Sequence, residues 1–438
     1  MLSSSQAFIS QNVGCRDYGE ISSVYTDFAL GDSRRSLRLW VVSKEGNSEA
    51  AEIAKQFVGD YIPYEQDLSS IAGNAKQVAL EKNLALLAGS RNLWYIFLPP
   101  GFYVYIVDGT TGKLRQIGES RFLTLRYSDV SFLHDFHLLI TSEQLRGERG
   151  LLSKVLEPSV LERRLTDVIA ERYSLSGPIG LLSKNARGMV TSQNRPATMA
   201  YVSSDRGQVR KTNEDCGSVV TVSFANGQGT SRFALTGVAD GVGGLAAGEI
   251  ASKIAISAGM SETIYRLLRD GNVDPPAAFV SAFDRANEEI MKVSSYTGKS
   301  MASTLSIGMV KAGRVWTANA GDTRIYGIKP NSSRIQQLTM DHRLEKEGPQ
   351  SHVITRSLGS HDHTPDVSDN FNMEDGDFLL SCSDGLHDLL DDSEILERTQ
   401  HRQTPREICS DLTAQANSRG GKDNITIATL LWKGKLDG

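Results

Sequence analysis

Residues 233–244 read Phe-Ala-Leu-Thr-Gly-Val-Ala-Asp-Gly-Val-Gly-Gly. The first seven are mostly apolar and predict a strand that ends at Asp240. The glycines that follow allow the chain to turn tightly. An acidic residue is thereby placed at the edge of an apolar strand, which is a suitable position for binding a cation.

Acidic residues occur in four further segments of the second half. These are Arg210-Lys-Thr-Asn-Glu214-Asp215, Ala-Gly321-Asp322-Thr-Arg324, Ser-Cys-Ser-Asp384-Gly385-Leu and Gly-Lys-Asp423-Asn424-Ile-Thr. For any one of these acids, a turn residue or a helix cap is the simpler interpretation. Taken together, acids presented at strand edges predict a cage of oxygen ligands for hard divalent cations.

These five segments, in this order within residues 201–431, resemble the PPM family of metal-dependent protein phosphatases (protein phosphatase 2C). The resemblance implies an α+β fold, a four-layer α-β-β-α sandwich of two antiparallel sheets flanked by helices. Runs of strands interrupted by a pair of adjacent helices fit this architecture better than a parallel sheet. The implied activity is hydrolysis of phosphoserine and phosphothreonine in proteins by a bridging hydroxide on a binuclear metal centre.

The resemblance also implies roles for particular residues. The metal ligands would be Glu214, Asp240, the carbonyl group of Gly241, Asp322, Asp384 and Asp423. They would hold two Mn²⁺ or Mg²⁺ ions bridged by Asp240, with Asp322 and Asp384 forming a weaker third site. Arg210 would bind the substrate phosphate as a bidentate fork. Asp215 would orient the cluster from behind the ligands.

One segment departs from the family pattern. The flap, which follows the Asp341-His342 pair in the family, is reduced here to the short polar stretch 343–353. This shortening leaves both the substrate preference and the third metal site open. Among the histidines, His342 is the best candidate for a general acid, although a structural or solvated histidine is the simpler interpretation. The same simpler interpretation applies to His361, His363 and His387.

A faint internal repeat relates the two halves. Residues 17–27 align with 205–215, residues 39–55 with 235–253, and residues 136–145 with 377–386. The apolar pattern is kept, but the ligand positions are not: Ser22, Thr26, Ser43 and Phe102 stand where Arg210, Glu214, Asp240 and Asp322 would be expected. We therefore predict a degenerate, metal-free regulatory copy at 1–185, a linker at 186–197 and a catalytic domain at 198–438. An unrelated α/β domain with chance similarity is the alternative for the first half.

Composition sets further bounds. The chain has 438 residues, a length suited to two or three domains, and a formal net charge of -5 without a basic stripe that would indicate nucleic acid. No apolar run has the length needed to span a membrane. The four cysteines lack paired spacing, which favours free thiols in a reducing compartment. We therefore expect a cytoplasmic protein.

The sequence thus predicts a tandem protein in which a degenerate phosphatase-like copy contacts and regulates an active one, or recruits its substrate. The expected partner is a phosphorylated protein, such as a Ser/Thr kinase or a target of that kinase. Two alternatives stay open. One is a non-catalytic scaffold or binding module that keeps its metals for structure, and the other is a phosphatase of a small phosphorylated metabolite.

Overall fold

The computed structural model describes about a third of the residues in the first half of the chain and most of those in the second half. The described residues are 13–16, 23–30, 36–42, 85–89, 93–108, 114–119, 122–126, 136–141, 179–184, 198–226, 229–242, 246–269, 274–344, 353–400 and 404–433.

In the first half, the described elements are β-strands. They are β1 (Val13–Arg16), β2 (Ser23–Leu30), β3 (Ser36–Val42), β4 (Ala85–Gly89), β5 (Leu93–Phe97), β6 (Tyr103–Asp108), β7 (Leu114–Glu119), β8 (Phe122–Arg126), β9 (Phe136–Thr141) and β10 (Ile179–Lys184).

In the second half, strands alternate with helices. The strands are β11 (Thr198–Asp205), β12 (Asp215–Asn226), β13 (Gly229–Val242), β14 (Ala302–Ser303), β15 (Leu305–Lys311), β16 (Arg314–Ala320), β17 (Arg324–Ile328), β18 (Gln336–Gln337), β19 (Asp366–Asn372), β20 (Phe378–Cys382) and β21 (Ile425–Trp432). The described helices are α1 (Ala246–Arg269), α2 (Pro275–Thr297), α3 (Asp384–His387), α4 (Asp392–Gln400) and α5 (Pro405–Ser418).

The second half is a layered sandwich of two antiparallel sheets. One sheet has the order β11-β21-β20-β17-β18, and the other contains β19-β16-β15-β13-β12. Helices α1 and α2 cover the sheet that contains β13, around Ile256, Phe279 and Phe283. Helices α4 and α5 cover the sheet that contains β21, around Ile408 and Leu412. A third apolar layer lies between the two sheets. The predicted α-β-β-α architecture is therefore confirmed for this half.

Burial on both faces explains why the central strands are apolar throughout. Every residue of β21 is buried, and so is every residue of β15 except Lys311. Along β12, Val219 faces the other sheet while Val220 faces the helices, as the period of two requires. The strands that carry the acids are thus rigid, because their side chains are packed on both sides.

The same strand order occurs in the first half. Its two sheets run β1-β10-β9-β6-β7 and β2-β3-β4-β5-β8. These orders match β11-β21-β20-β17-β18 and β12-β13-β15-β16-β19 of the second half, strand for strand, when the short β14 is left aside. The residue directly before β6 is the buried Phe102, which the sequence repeat aligns with Asp322 of the second half.

The two halves are joined through their sheets. Strand β2 pairs with β12 in antiparallel register, from Ser23 opposite Ala225 to Leu30 opposite Ser218. One continuous sheet therefore runs through both halves. Phe97 of the first half also belongs to the buried apolar cluster that contains Phe233 of the second half. Burying apolar area across this junction stabilises the pairing of the two halves.

The strand predicted at the first acidic segment is confirmed, with one difference at its end. The sequence placed the end of this strand at Asp240, but β13 continues through Asp240 and Gly241 to Val242. The reason is tertiary: Gly241 and Val242 pair with Ser303 and Ala302 of β14. In the described part of the chain, no helix combines the length and the apolar character that a membrane crossing requires.

The helix layer offers a direct test of this core. Phe283 of α2 is fully buried, whereas Tyr296 of the same helix is 93% exposed. We expect Phe283→Ala to lower the free energy of unfolding by about 3–5 kcal/mol, because it removes packed apolar volume. Tyr296→Ala, the matched control, should change it by less than about 0.5 kcal/mol. Equal effects of both changes in urea denaturation would contradict the packing described.

Candidate active site

A cavity of about 720 Å³ opens where β13, β20 and the start of β21 come together. Its lining contains every residue predicted from the sequence as a metal ligand, namely Glu214, Asp240, Gly241, Asp322, Asp384 and Asp423. Arg210, the predicted phosphate ligand, lines the same cavity, together with Lys422 and Asp388. Residues that lie up to 213 positions apart in the chain are thereby gathered around one polar space.

Asp240 is fixed by the backbone of β13 and by its neighbours. Its N–H donates to Thr304 Oγ1 at 2.8 Å, and its carbonyl oxygen accepts from the N–H of Thr304 at 2.9 Å. The next residue has to be glycine, because a Cβ at Gly241 would lie 2.0 Å from the carbonyl oxygen of Gly248. The N–H of Gly241 donates to the carbonyl oxygen of Glu214 at 3.1 Å, which ties two predicted ligands together.

Asp215 does not line the cavity but supports it from behind. It lies directly opposite Asp240 in the β12–β13 ladder and is buried. Its Oδ2 accepts a hydrogen bond from Ser383 Oγ at 2.6 Å. Because Ser383 immediately precedes Asp384, this bond connects the strand of Asp240 to the residue that presents Asp384. This position agrees with the orienting role expected from the sequence.

Asp384 and Asp423 are presented on neighbouring turns. Asp384 begins the short helix α3, directly after β20. Gly385 allows this helix to approach the loop before β21, because a Cβ there would lie 2.0 Å from the carbonyl oxygen of Asn424. Asp423 Oδ1 accepts from the N–H of Asn424 at 2.8 Å, so its carboxylate is held against its own turn.

Asn424 clamps the segment that carries Arg210 and Glu214. Its Oδ1 accepts from the N–H of Glu214 at 2.8 Å. Its Nδ2 donates to the carbonyl oxygens of Arg206 and Thr212, both at 2.9 Å. One buried amide side chain thus satisfies three backbone groups of a loop that has no regular structure.

The carboxylates raise each other's pKa. Burial, followed by the charges of Asp215 and Asp384, holds the pKa of Asp240 well above its ordinary value. Burial, followed by the charges of Asp322 and Asp423, likewise raises the pKa of Asp384. Asp322 Oδ1 and Asp384 Oδ1 are both buried and have no hydrogen-bond partner among the described residues. The cavity is therefore built to receive positive charge.

Two arginines supply part of that charge. Arg210 donates to Asp423 Oδ2 at 2.6 Å, and about half of its side chain is exposed. Arg343 donates through Nε to Asp322 Oδ2 at 2.6 Å. Within the described residues, no three histidine, cysteine or acidic side chains already stand in a metal-binding arrangement. Asp423 and Asp322 are therefore each paired with an arginine through one carboxylate oxygen.

His342 does not reach the cavity lining. Its Nδ1 accepts from the N–H of Gly321 at 3.0 Å, and its Nε2 lies 2.9 Å from Asp366 Oδ2. Both ring nitrogens are thus used to hold the loop that carries Asp322, which is a structural position rather than that of a general acid. His363 pairs with Asp284 on the surface, while the Nε2 of the buried His387 lies 3.1 Å from the carbonyl oxygen of Asp322.

Sequence reasoning missed several residues that shape the site. Asn424 was noted only as a turn residue, and Thr304 was not singled out at all. Arg343 was treated as part of a short polar stretch, although its position directly after Asp341-His342 could have drawn attention to it. Their roles depend on which distant segment each side chain meets, and local sequence does not record this.

The second half of the chain is similar in sequence to known proteins. A sequence model of the family described as "Protein phosphatase 2C" matches residues 223–422. The serine/threonine phosphatase stp of Listeria innocua is 30% identical over 249 residues, which cover 51% of this chain and 92% of that protein. The protein phosphatase PhpP of Streptococcus pneumoniae is 30% identical over 243 residues, covering 51% of this chain and 94% of that protein. The chain belongs to the protein phosphatase 2C family.

The chain is also similar to solved structures of serine/threonine phosphatases. The Streptococcus agalactiae serine/threonine phosphatase is 27% identical, with a TM-score of 0.45, and the match covers 54% of this chain and all of that one. The catalytic domain of the serine/threonine phosphatase PstP in complex with two manganese ions is 28% identical, with a TM-score of 0.44, covering 54% of this chain and 98% of that one.

The clamp formed by Asn424 can be tested by substitution. Asn424→Ala should lower the free energy of unfolding by about 1–3 kcal/mol, because three backbone groups of the loop at 206–214 lose their hydrogen bonds to a buried side chain. The exposed Asn331 provides a matched control, and Asn331→Ala should change stability by less than about 0.5 kcal/mol. Urea denaturation measures both changes. Wild-type stability of Asn424→Ala would show that the clamp is not needed.

Proposed function

We propose that this protein hydrolyses phosphoserine and phosphothreonine in other proteins, and that it requires Mn²⁺ or Mg²⁺ to do so. The observation that carries the proposal is the convergence of all six predicted ligands on one cavity with Arg210 at its rim. Membership of the protein phosphatase 2C family supports the reaction, since the relatives named above are a serine/threonine phosphatase and a protein phosphatase.

The donor set fits hard divalent cations. It consists of carboxylate oxygens and one backbone carbonyl group, the ligands that Mg²⁺ and Mn²⁺ prefer. Asp240 would be shared by two ions, Asp384 and Asp423 would hold one of them, and Glu214 with the carbonyl of Gly241 would hold the other. When bound, such ions would lower the pKa of a water molecule, so that it loses a proton at neutral pH and can attack phosphorus. They would also supply positive charge for the phosphoryl oxygens.

The protein's own residues bind and orient. Arg210 is positioned at the cavity edge, where its planar fork can bind two oxygens of a phosphate monoester. Lys422, the residue before Asp423, also lines the cavity and adds a second positive charge for the substrate. Asp215 keeps Asp240 and Asp384 in register through the ladder pairing and the bond from Ser383.

The substrate class we infer is phosphorylated cytoplasmic proteins, including a Ser/Thr kinase or its targets. The unpaired spacing of the cysteines supports a reducing compartment, and Cys382 and Cys409 lie buried as thiols in the core. Serine/threonine phosphatases act on products of kinases, so a kinase is the class of enzyme that must supply the substrate.

Metal dependence tests the proposal. We expect hydrolysis of a small aryl phosphate and of a phosphothreonine peptide in the presence of Mn²⁺, and its loss in excess chelator. Asp240→Ala and Asp423→Ala should each lower kcat by several orders of magnitude, because each removes a predicted ligand. Full activity in chelator, or near wild-type rates for Asp240→Ala, would refute the metal assignment.

Arg210→Ala gives an internal contrast in the same assay. It should mainly raise KM, because Arg210 binds the phosphate and does not generate the nucleophile. Arg398→Ala serves as the control, since Arg398 also forms an ion pair with a carboxylate, Asp411, but lies outside the cavity lining. A protein that binds Mn²⁺ but hydrolyses neither substrate would instead favour the scaffold alternative.

We further propose that the first half is a degenerate copy of the phosphatase domain that regulates the active half or recruits its substrate. Support comes from the matching strand orders of the two halves and from the repeat in the sequence. The predicted loss of ligands supports a non-catalytic role, since the sequence repeat aligns the buried Phe102 with Asp322. The pairing of β2 with β12 offers a direct physical link to the strand that begins at Asp215.

Two substrates distinguish these roles. The full chain and residues 198–438 should be compared on a small aryl phosphate and on a phosphoprotein. A changed rate on both substrates is expected if the first half regulates the site through β12, and a loss on the phosphoprotein alone is expected if it recruits. In the full chain, Phe97→Ala should produce a weaker version of the same change, because it loosens the contact between the halves. Identical kinetics and stability of all three proteins would contradict a functional role.

A further inference from the structure

Arg343 lies in a part of the site for which the sequence predicted a metal ion. Its guanidinium contacts three carboxylates: Nε donates to Asp322 Oδ2 at 2.6 Å, one terminal nitrogen donates to Asp388 Oδ1 at 3.2 Å, and the other lies 3.6 Å from Asp384 Oδ2. The side chain of Arg343 is only 15% exposed, and that of Asp322 is 3% exposed. This is a nearly enclosed cation surrounded by acids.

The backbone holds Arg343 in this place. The N–H of His342 donates to the carbonyl oxygen of Gly321 at 3.0 Å, which fixes the residue before it to the loop of Asp322. The N–H of Leu344 donates to the carbonyl oxygen of Val353 at 3.0 Å, and Arg343 itself forms an antiparallel bridge with Ile354. These backbone bonds therefore fix the position of Arg343 beside Asp322.

The arginine and a third metal ion would compete for the same oxygens. Asp322 and Asp384 are the two residues that the family resemblance assigns to the weaker third ion. Mg²⁺ binds oxygen at about 2.0–2.1 Å and needs several oxygens to replace its water. At Asp322 Oδ2 this approach is already filled by the N–H of Arg343. An arginine cannot be deprotonated here, so its charge is permanent.

We propose that Arg343 is a built-in cation that takes the place of the third metal ion, so that the protein binds two ions instead of three. The side chain neutralises Asp322 and Asp388 and steadies Asp384 for its role toward the other two ions. Arg343 is thus a positioning residue for the metal centre. This inference rests on the proposed function, because it assumes that Asp240, Asp384, Asp423 and Glu214 bind metal.

Metal stoichiometry tests the proposal without relying on activity. Mn²⁺ binding to the full chain, measured by equilibrium dialysis and by the electron paramagnetic resonance signal of free Mn²⁺, should give two ions for the wild type and two for Asp322→Asn. Arg343→Ala and Arg343→Gln should each bind a third, weaker ion, because the acids lose their cation. Adding Asp322→Asn to Arg343→Gln should return the count to two. Arg398→Ala, the control, should bind two.

The possible results distinguish a failure of the role proposed for Arg343 from a failure of the proposed function. Three ions in the wild type, falling to two in Asp322→Asn, would overturn the role of Arg343 and leave the proposed function intact. Two ions in both Arg343 variants would also overturn it. A wild type that binds no Mn²⁺ would overturn the proposed function itself. Because the wild type and Asp322→Asn alone can refute the proposal, it stays testable even if removal of Arg343 prevents folding.

Discussion

Repulsion between carboxylates is the constraint on which this structure depends. Six acidic side chains line one cavity, and their mutual charge, added to burial, raises the pKa values of Asp240 and Asp384. Acids do not gather in this way without support, since burying a charge is costly unless it is paired. The packed sheets provide that support. Strands buried on both faces cannot move apart to relieve the repulsion, so the charge has to be met by cations.

Three kinds of positive charge can neutralise the carboxylates of the cavity, and each lies at a different position. Arg210 is half exposed at the rim and pairs with Asp423, which suits a group that exchanges between a carboxylate and a substrate phosphate. Arg343 is nearly buried against Asp322 and has the position of a permanent component. Between them, Asp240, Asp384 and Glu214 face a space in which divalent ions have oxygen ligands. The proposed function therefore divides substrate binding, structural neutralisation and catalysis among separate cations.

Local sequence signals predicted much of this. Asp240, Asp384 and Asp423 each follow or precede an apolar strand and are flanked by glycine or asparagine, and these are short-range patterns. The layered fold followed from strand runs interrupted by the adjacent helices α1 and α2. Asn424, Thr304 and Arg343 could not be assigned in this way. Asn424 meets Arg206 across 218 positions, and no periodicity or turn pattern specifies such a partner.

In the first half, too, local patterns were predictable from the sequence, whereas contacts between distant segments were not. Its apolar repeat predicted a copy of the second half, and the strand orders of the two halves agree. The pairing of β2 with β12 was not predictable, because an exposed strand edge can accept many partners. This junction adds a strand beside the hairpin that carries Asp215 and Asp240. The first half is therefore placed beside the strands that carry Asp215 and Asp240.

The most direct measurement is the location of bound manganese in crystals of the full chain, determined from anomalous scattering at the Mn absorption edge. The account predicts two strong peaks within the cavity, both in contact with Asp240, one near Asp384 and Asp423 and the other near Glu214 and the carbonyl of Gly241. It also predicts that the guanidinium of Arg343, and no third peak, lies between Asp322 and Asp388. An active protein whose cavity holds no manganese would contradict the account.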